Sequence, residues 1–262
     1  MTAPTYLDRI LRAHRAAAAA DERSIQELLT EARRRPPVRD AAGALRAPGV
    51  SVIAEVKRAS PSKGPLAPDL DPAELAASYE AGGAACVSVL TDRRFFSGSP
   101  DDLADARSAI DLPVLRKDFT VSVADLCDAR IMGADAVLLI VAALDRSELQ
   151  ELYDVAKDLG LAALVEVHDE AEAETAVAVG AEMIGINQRD LVTFEVDTDR
   201  AVRVARSLPD TVVRVAESGI SGAGDVPRLV DAGFDAILVG ESLVKSGDPA
   251  GAVARLVRAG AV

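Results

Sequence analysis

Residues 133–141 read GADAVLLIV. A glycine, an apolar residue (Ala or, at 234, Phe) and an acid lead straight into an apolar run. The arrangement returns at 180–186 (GAEMIGI) and at 233–239 (GFDAILV). A helix that stops at glycine and passes at once into a strand makes this αβ turn. A Val/Ile/Leu run without polar alternation is a strand buried on both faces, as in a parallel sheet. Working outward, such runs lie at 51–56, 85–90, 113–115, 136–141, 162–167, 182–186, 212–216 and 235–239. Stretches of helical period follow them at 72–82, 100–109, 122–132, 146–159, 169–179, 197–207, 223–232 and 249–259. Two of these open with Asp71-Pro72 and Ser99-Pro100, a cap followed by proline in the first turn. Eight β-α units in about 210 residues fit a closed (β/α)8 barrel, an α/β fold. A doubly wound open sheet is the alternative.

Residues 1–48 precede the first strand. Two helical stretches, about 5–20 and 22–34, end at Pro36-Pro37. They are too polar to hold a core of their own. The expectation is one domain over 1–262, with an N-terminal helical extension (1–48) packed on a barrel (49–262).

Composition narrows the function. The 262 residues carry a net charge of −13, which argues against nucleic-acid and anionic-membrane partners. No apolar run is long enough to span a membrane, and the start of the chain lacks a charged-then-apolar leader pattern. A cytoplasmic protein is expected. Cys86 and Cys127 have no metal-type spacing and read as reduced structural thiols. His14 and His168, the two histidines, are too few for a histidine-based zinc site. His14 reads as a solvated helix position and His168 as a rim residue. Only five of the 29 basic residues are lysine. Lysine can exchange a proton where arginine stays charged, so the positions of the lysines matter.

A barrel builds its active face where strands end. Side chains alternate along a strand, so Ile53, Glu55 and Lys57 share one face, and that face opens into the mouth. Arg116, Lys117, Asp118 and Phe119 close the third strand, Glu166 and His168 the fifth, Asn187 and Arg189 the sixth, Glu217 the seventh. The stretches ESGIS (217–221, with Ser218 and Gly219) and VGES (239–242, with Gly240 and Ser242) place small residues after strands seven and eight. Barrels often hold phosphate there on backbone N–H groups. Ser60 in the first loop adds a hydroxyl. Phe96 and Phe119 either flank an aromatic ligand or anchor their loops. The residues thus read as a mouth for acid–base chemistry on a phosphorylated small molecule, with no metal.

The segments VIAEVKRASPSKG (52–64), VLTDRRFFSGS (89–99), LRKDF (115–119), VLLIVAAL (137–144), LVEVHDE (164–170), IGINQRDL (184–191), VAESGI (215–220) and ILVGESL (237–243) resemble, in order and spacing, those of the indole-3-glycerol phosphate synthase family. The resemblance runs over nearly the whole chain. It implies conversion of 1-(2-carboxyphenylamino)-1-deoxyribulose 5-phosphate to indole-3-glycerol phosphate in tryptophan biosynthesis. CO2 and water are released, and neither metal nor organic cofactor takes part. It further implies that Lys117 is the general acid and Glu166 the general base. Lys57 would hold the substrate carboxylate with Glu55 placing it, and Asn187 and Glu217 would orient hydroxyls. Ser60, Gly219 and Gly240, with Ser218 and Ser242 beside them, would take the phosphate. Phe96, Phe119, Leu138 and Leu191 would shape an aromatic slot near Arg189. The cations Lys57, Arg116 and Arg189 are expected to lower the pKa of Lys117. Glu241 stands where many members of the family have serine, and is expected to turn away from the phosphate. A monomer is common in the family. The rival readings are another phosphate-binding barrel isomerase, a Schiff-base aldolase using Lys117 or Lys57, and a non-catalytic phosphate-ligand binder.

Overall fold

Three helices come first in the computed structural model, which describes residues 5–61, 63–190 and 195–261: α1 (Tyr6–Ala19), α2 (Ile25–Arg33) and α3 (Ala41–Leu45). Eight parallel strands follow: β1 (Ser51–Val56), β2 (Cys86–Leu90), β3 (Val114–Lys117), β4 (Ala136–Ile140), β5 (Ala162–Val167), β6 (Met183–Asn187), β7 (Val213–Glu217) and β8 (Ala236–Val239). Each strand pairs with its neighbours in order. β1 closes the ring by pairing with both β2 (Ile53↔Cys86) and β8 (Ser51↔Ala236). Closure rules out the open sheet. The outer helices are α4 (Pro72–Ala81), α6 (Pro100–Ala109), α7 (Val123–Met132), α8 (Arg146–Asp158), α9 (Glu170–Ala178), α10 (Thr198–Ala205), α11 (Val226–Asp231) and α13 (Pro249–Gly260), with α5 (Arg93–Phe96) and α12 (Glu241–Val244) as short turns on the mouth.

The caps are local and explicit. Asp71 accepts from the N–H groups of Ala73 and Glu74 ahead of α4, and Ser99 accepts from Asp102 N–H ahead of α6. Asp145 and Glu148 form a reciprocal box at the start of α8. Gly133, Gly160, Gly180 and Gly233 sit at positive φ just past helix ends, so the αβ turns read from the sequence are real.

The barrel interior explains where the chemistry sits. Inward-facing residues of such a barrel stack in layers of four drawn from alternate strands. Ile53, Leu115, Leu164 and Val215, on β1, β3, β5 and β7, are all buried. Two residues further along the same strands, on the same face, stand Glu55, Lys117, Glu166 and Glu217. The layer nearest the mouth is therefore ionic, three carboxylates and one ammonium, lying directly on an apolar layer.

The N-terminal extension packs on the outside and over the rim. Arg15 pairs with Glu148 at 2.7 Å and Arg23 with Asp128 at 2.8 Å. Buried Arg130 donates to the carbonyls of Leu159, Arg35 and Pro36. Both cysteines are free and buried. Among the described residues no helix is long and apolar enough to cross a membrane.

Candidate active site

A cavity of about 670 Å3 opens at the C-terminal ends of the strands, with the ionic layer as its floor. Lys117 Nζ stands 2.5 Å from Glu217 Oε2 and 2.9 Å from Glu166 Oε2. Glu166 accepts on its other oxygen from Asn187 Nδ2 at 3.1 Å, and His168 Nε2 lies 3.5 Å from the same oxygen. Lys57 donates to Glu55, and Ser88 Oγ approaches the second Glu55 oxygen at 3.5 Å. Sequence-expected residues from β1, β3, β5, β6 and β7 thus meet in one place.

The electrostatics reverse one expectation. Burial opposes the Lys117 ammonium, but the carboxylates of Glu166, Glu217 and Glu55 outweigh it and raise the pKa above the ordinary lysine value. Arg116 exerts no lowering effect at close range. Alternation turns it to the opposite face of β3, where it donates to Thr91, Asp118 and the Asp125 carbonyl. Lys57 is held by Glu55. The two acids beside Lys117 divide their roles. Burial works against the Glu166 charge, yet Lys117, His168 and Asn187 hold its pKa down to about 2. Burial and the nearby Glu166 charge push Glu217 up to about 7 despite Lys117. Glu217 Oε1 is buried without a partner among the described residues.

The rim carries the residues expected to take a phosphate. Ser218 and Gly219 take consecutive positive-φ conformations after β7, and both line the cavity. Gly240 has no room for a side chain, since a Cβ there would fall 2.5 Å from Glu55 Oε1 and 3.1 Å from Lys57 Nζ. Ser60 Oγ lines the cavity, buried and unpartnered among the described residues. Ser242 lines it too, although its hydroxyl leans 3.4 Å toward the Ile220 carbonyl. Glu241 lines the mouth rather than leaving it; its carboxylate is turned onto Lys245 at 2.7 Å.

Phe96 and Phe119 stand with ring centroids 6.3 Å apart on one wall, and Leu138 and Arg189 also face the cavity. Leu191 lies outside the described residues. The sequence reading missed Tyr6, Leu7 and Ile10, which place α1 in the cavity wall. Their apolar spacing at the start of α1 was the available signal. His14 is not solvated: its Nε2 lies 2.9 Å from Asp92 Oδ2 and its ring packs on Phe119.

The sequence profile described as indole-3-glycerol phosphate synthase matches residues 7–256. The chain belongs to the indole-3-glycerol phosphate synthase family. A relative named indole-3-glycerol phosphate synthase from Mycobacterium avium (strain 104) is 54% identical over 262 residues, covering 99% of this chain and 96% of its own. One of the same name from Mycobacterium leprae (strain Br4923) is 54% identical with the same coverage. A solved thiamine phosphate pyrophosphorylase from Pyrococcus furiosus superposes with a TM-score of 0.62 at 17% identity, over 82% of this chain and 96% of that one. That likeness concerns the fold alone. Membership of the synthase family gives the reaction: a decarboxylating ring closure that forms indole-3-glycerol phosphate in tryptophan biosynthesis.

Proposed function

We propose that Lys117 is the general acid and Glu166 the general base of this synthase, acting on 1-(2-carboxyphenylamino)-1-deoxyribulose 5-phosphate as a cytoplasmic monomer without metal or organic cofactor. The observation that carries the reading is the position of the Lys117 ammonium, within hydrogen-bond reach of both Glu166 and Glu217 on the floor of a cavity whose rim suits phosphate.

The chemistry follows from that placement. The ring carbon bearing the carboxylate attacks the ketone carbon, and Lys117 delivers a proton to the carbonyl oxygen as it becomes a hydroxyl. The attacking ring is then an iminium. Loss of CO2 returns the carbon–carbon bonding electrons to it, so no electron-sink cofactor is required. The hydroxyl takes up a proton and leaves as water while a carboxylate removes one from the carbon that becomes part of the indole double bond, so the dehydration consumes no net proton. Glu166, held ionised, is placed for that step. General acid and general base each contribute typically about 10²–10⁴-fold. Lys57, set by Glu55, takes the substrate carboxylate; Asn187 and Glu217 orient hydroxyls. Ser60, Ser218, Gly219, Gly240 and Ser242 surround the phosphate. Phe96, Phe119 and Leu138 receive the aromatic ring near Arg189.

The test is indole fluorescence after mixing enzyme with the carboxyphenylamino sugar phosphate. Turnover by the wild type and its loss in Lys117→Met are the expected results. A borohydride-trapped lysine adduct would instead favour the aldolase reading.

A further inference from the structure

We infer that His14 is a positioning residue for this reaction: by bridging Asp92 and Asp118 it clamps α1 onto the two loops that carry the aromatic slot, and it holds them most tightly when protonated. The inference rests on the proposed slot for the substrate ring.

The clamp is built from groups that each do two things. His14 Nε2 lies 2.9 Å from Asp92 Oδ2 and 3.9 Å from Asp118 Oδ1. Asp92 also accepts from the backbone N–H of Phe95 at 2.5 Å, capping the short helix α5 that ends in Phe96. Asp118 also accepts from the backbone N–H of Phe119 at 2.9 Å. The carboxylates that hold His14 therefore also set the backbone beside both slot phenylalanines. The His14 ring itself lies 5.5 Å from the Phe119 ring, centroid to centroid. A second contact fastens the same helix, with Tyr6 edge-on to Phe95 at 5.8 Å. Tyr6, Leu7 and Ile10 of that helix line the cavity. Lys117 immediately precedes Asp118, so slack in this loop reaches the proposed acid.

Asp92 from the β2 loop, Asp118 from the β3 loop and Asp125 from α7 face His14. Arg116 of β3 is spent on Thr91, Asp118 Oδ2 and the Asp125 carbonyl. Burial opposes the imidazolium, and the Asp92 hydrogen bond with the charges of Asp118, Asp92 and Asp125 overcomes it, raising the pKa above 6.5. The three side chains are also close enough to hold a metal ion. Their carboxylates are, however, already engaged by Phe95 N–H, Phe119 N–H, Thr91 and the Arg116 cation, which leaves room for a proton rather than a dication. With a raised folded-state pKa, the charge-assisted clamp is complete below about pH 6.5, and as pH rises through the His14 titration it weakens to at most a neutral hydrogen bond to Asp92.

The experiment measures KM and kcat from pH 6 to 9 for wild type, His14→Gln, His14→Lys and Arg15→Ala. Proton NMR titration of the two histidines and hydrogen exchange of α1 accompany it. Wild-type KM should rise roughly tenfold or more, the scale of one charge-assisted hydrogen bond, at the pH where His14 titrates. His14→Gln, a neutral donor, should show the high KM at every pH. His14→Lys should show the low KM at every pH. Arg15→Ala loosens the same helix from α8 and should keep the wild-type pH step, as should kcat effects from Glu217 and His168, which titrate elsewhere in the site. A KM step that survives in His14→Gln overturns the inference, as does α1 exchange that ignores His14 protonation. Because exchange and NMR need no turnover, a failure of the proposed reaction would leave the clamp still decided.

Discussion

Glu217→Gln should make the protein more stable at alkaline pH while impairing turnover. In the fold the Glu217 carboxyl has a pKa of about 7, against 4.5 for the free side chain. Between those values the folded state binds a proton that the unfolded chain has released. Stability therefore falls as pH rises through this window and is flat above it. At 1.36 kcal/mol for each pKa unit, the loss amounts to about 3 kcal/mol. Glutamine mimics the protonated carboxyl in shape: its oxygen can face Lys117 and its amide nitrogen can face Glu166. Its stability carries no such dependence. Variant and wild type should match near pH 5, and the variant should lead by about 3 kcal/mol at pH 8. Glu166 does not interfere, because its folded pKa is about 2; its contribution is present above 4.5 and is lost only as pH falls below that value. The raised His14 loses its contribution as pH rises in both proteins and cancels in the difference; His168 is raised, against burial, first by Glu172 and Glu166 and last by Glu217, so its contribution cancels apart from that smallest share. Urea unfolding at unit pH intervals from 5 to 9 reads the difference directly. A gap that stays constant with pH, or a wild type that is the more stable at pH 8, would show that Glu217 does not carry the reluctant charge.

Lys117→Met should lower kcat by about 10²–10⁴-fold while phosphate-dependent ligand binding survives, measured by indole fluorescence and by titration with the product. Glu166→Gln should separate the two halves of the reaction, so that single-turnover CO2 release outruns indole formation; equal slowing of both would place Glu166 in the first half instead. Ser60→Ala should raise KM roughly tenfold with kcat nearly kept, since one donor to a charged phosphate is removed. Gly185→Ala should destabilise the fold by about 1–3 kcal/mol in urea unfolding. A Cβ there would fall 2.0 Å from Glu217 Oε1, and Glu217 is pinned by Lys117.

The strands and long helices were legible because each repeats one signal, a glycine turn into an apolar run, over a span longer than a helical turn. The short pieces were not. The Ala59–Ser60/Gly64–Pro65 hairpin, α5 and α12 run for two to four residues and leave no period to read. Strand ends gave the identity of Glu55, Lys117, Glu166 and Glu217, because alternation fixes which side chains face the mouth. The sequence could not give their mutual charges. Arg116 follows Leu115 and precedes Lys117 in the chain, which invited the expectation of a cation beside a cation; the pleat sends it to the other side of the strand. His14 illustrates the opposite failure. Its helix lies far from Asp92 and Asp118 in sequence, and only the docking of α1 over the rim brings them together.

The ionic layer also accounts for the choice of lysine at 117 in a chain that mostly uses arginine. A buried carboxylate such as Glu166, facing an apolar layer, would not stay ionised without a cation, and either basic residue would serve that end. Arginine, however, would hold its proton through any reaction. On the proposed reading the carboxylates also direct the substrate. Its carboxylate and phosphate are repelled from a floor that holds more acids than ammonium, and are drawn to Lys57, Lys63 and the rim of small residues that line the same cavity. The neutral ketone is the part of the molecule that can approach the floor. Its oxygen meets Lys117 there, and as the new carbon–carbon bond puts negative charge on that oxygen, the ammonium gains a partner better placed for its proton than either glutamate. The high resting pKa of Lys117 is thus compatible with acid catalysis, because the reaction itself creates the base that Lys117 protonates.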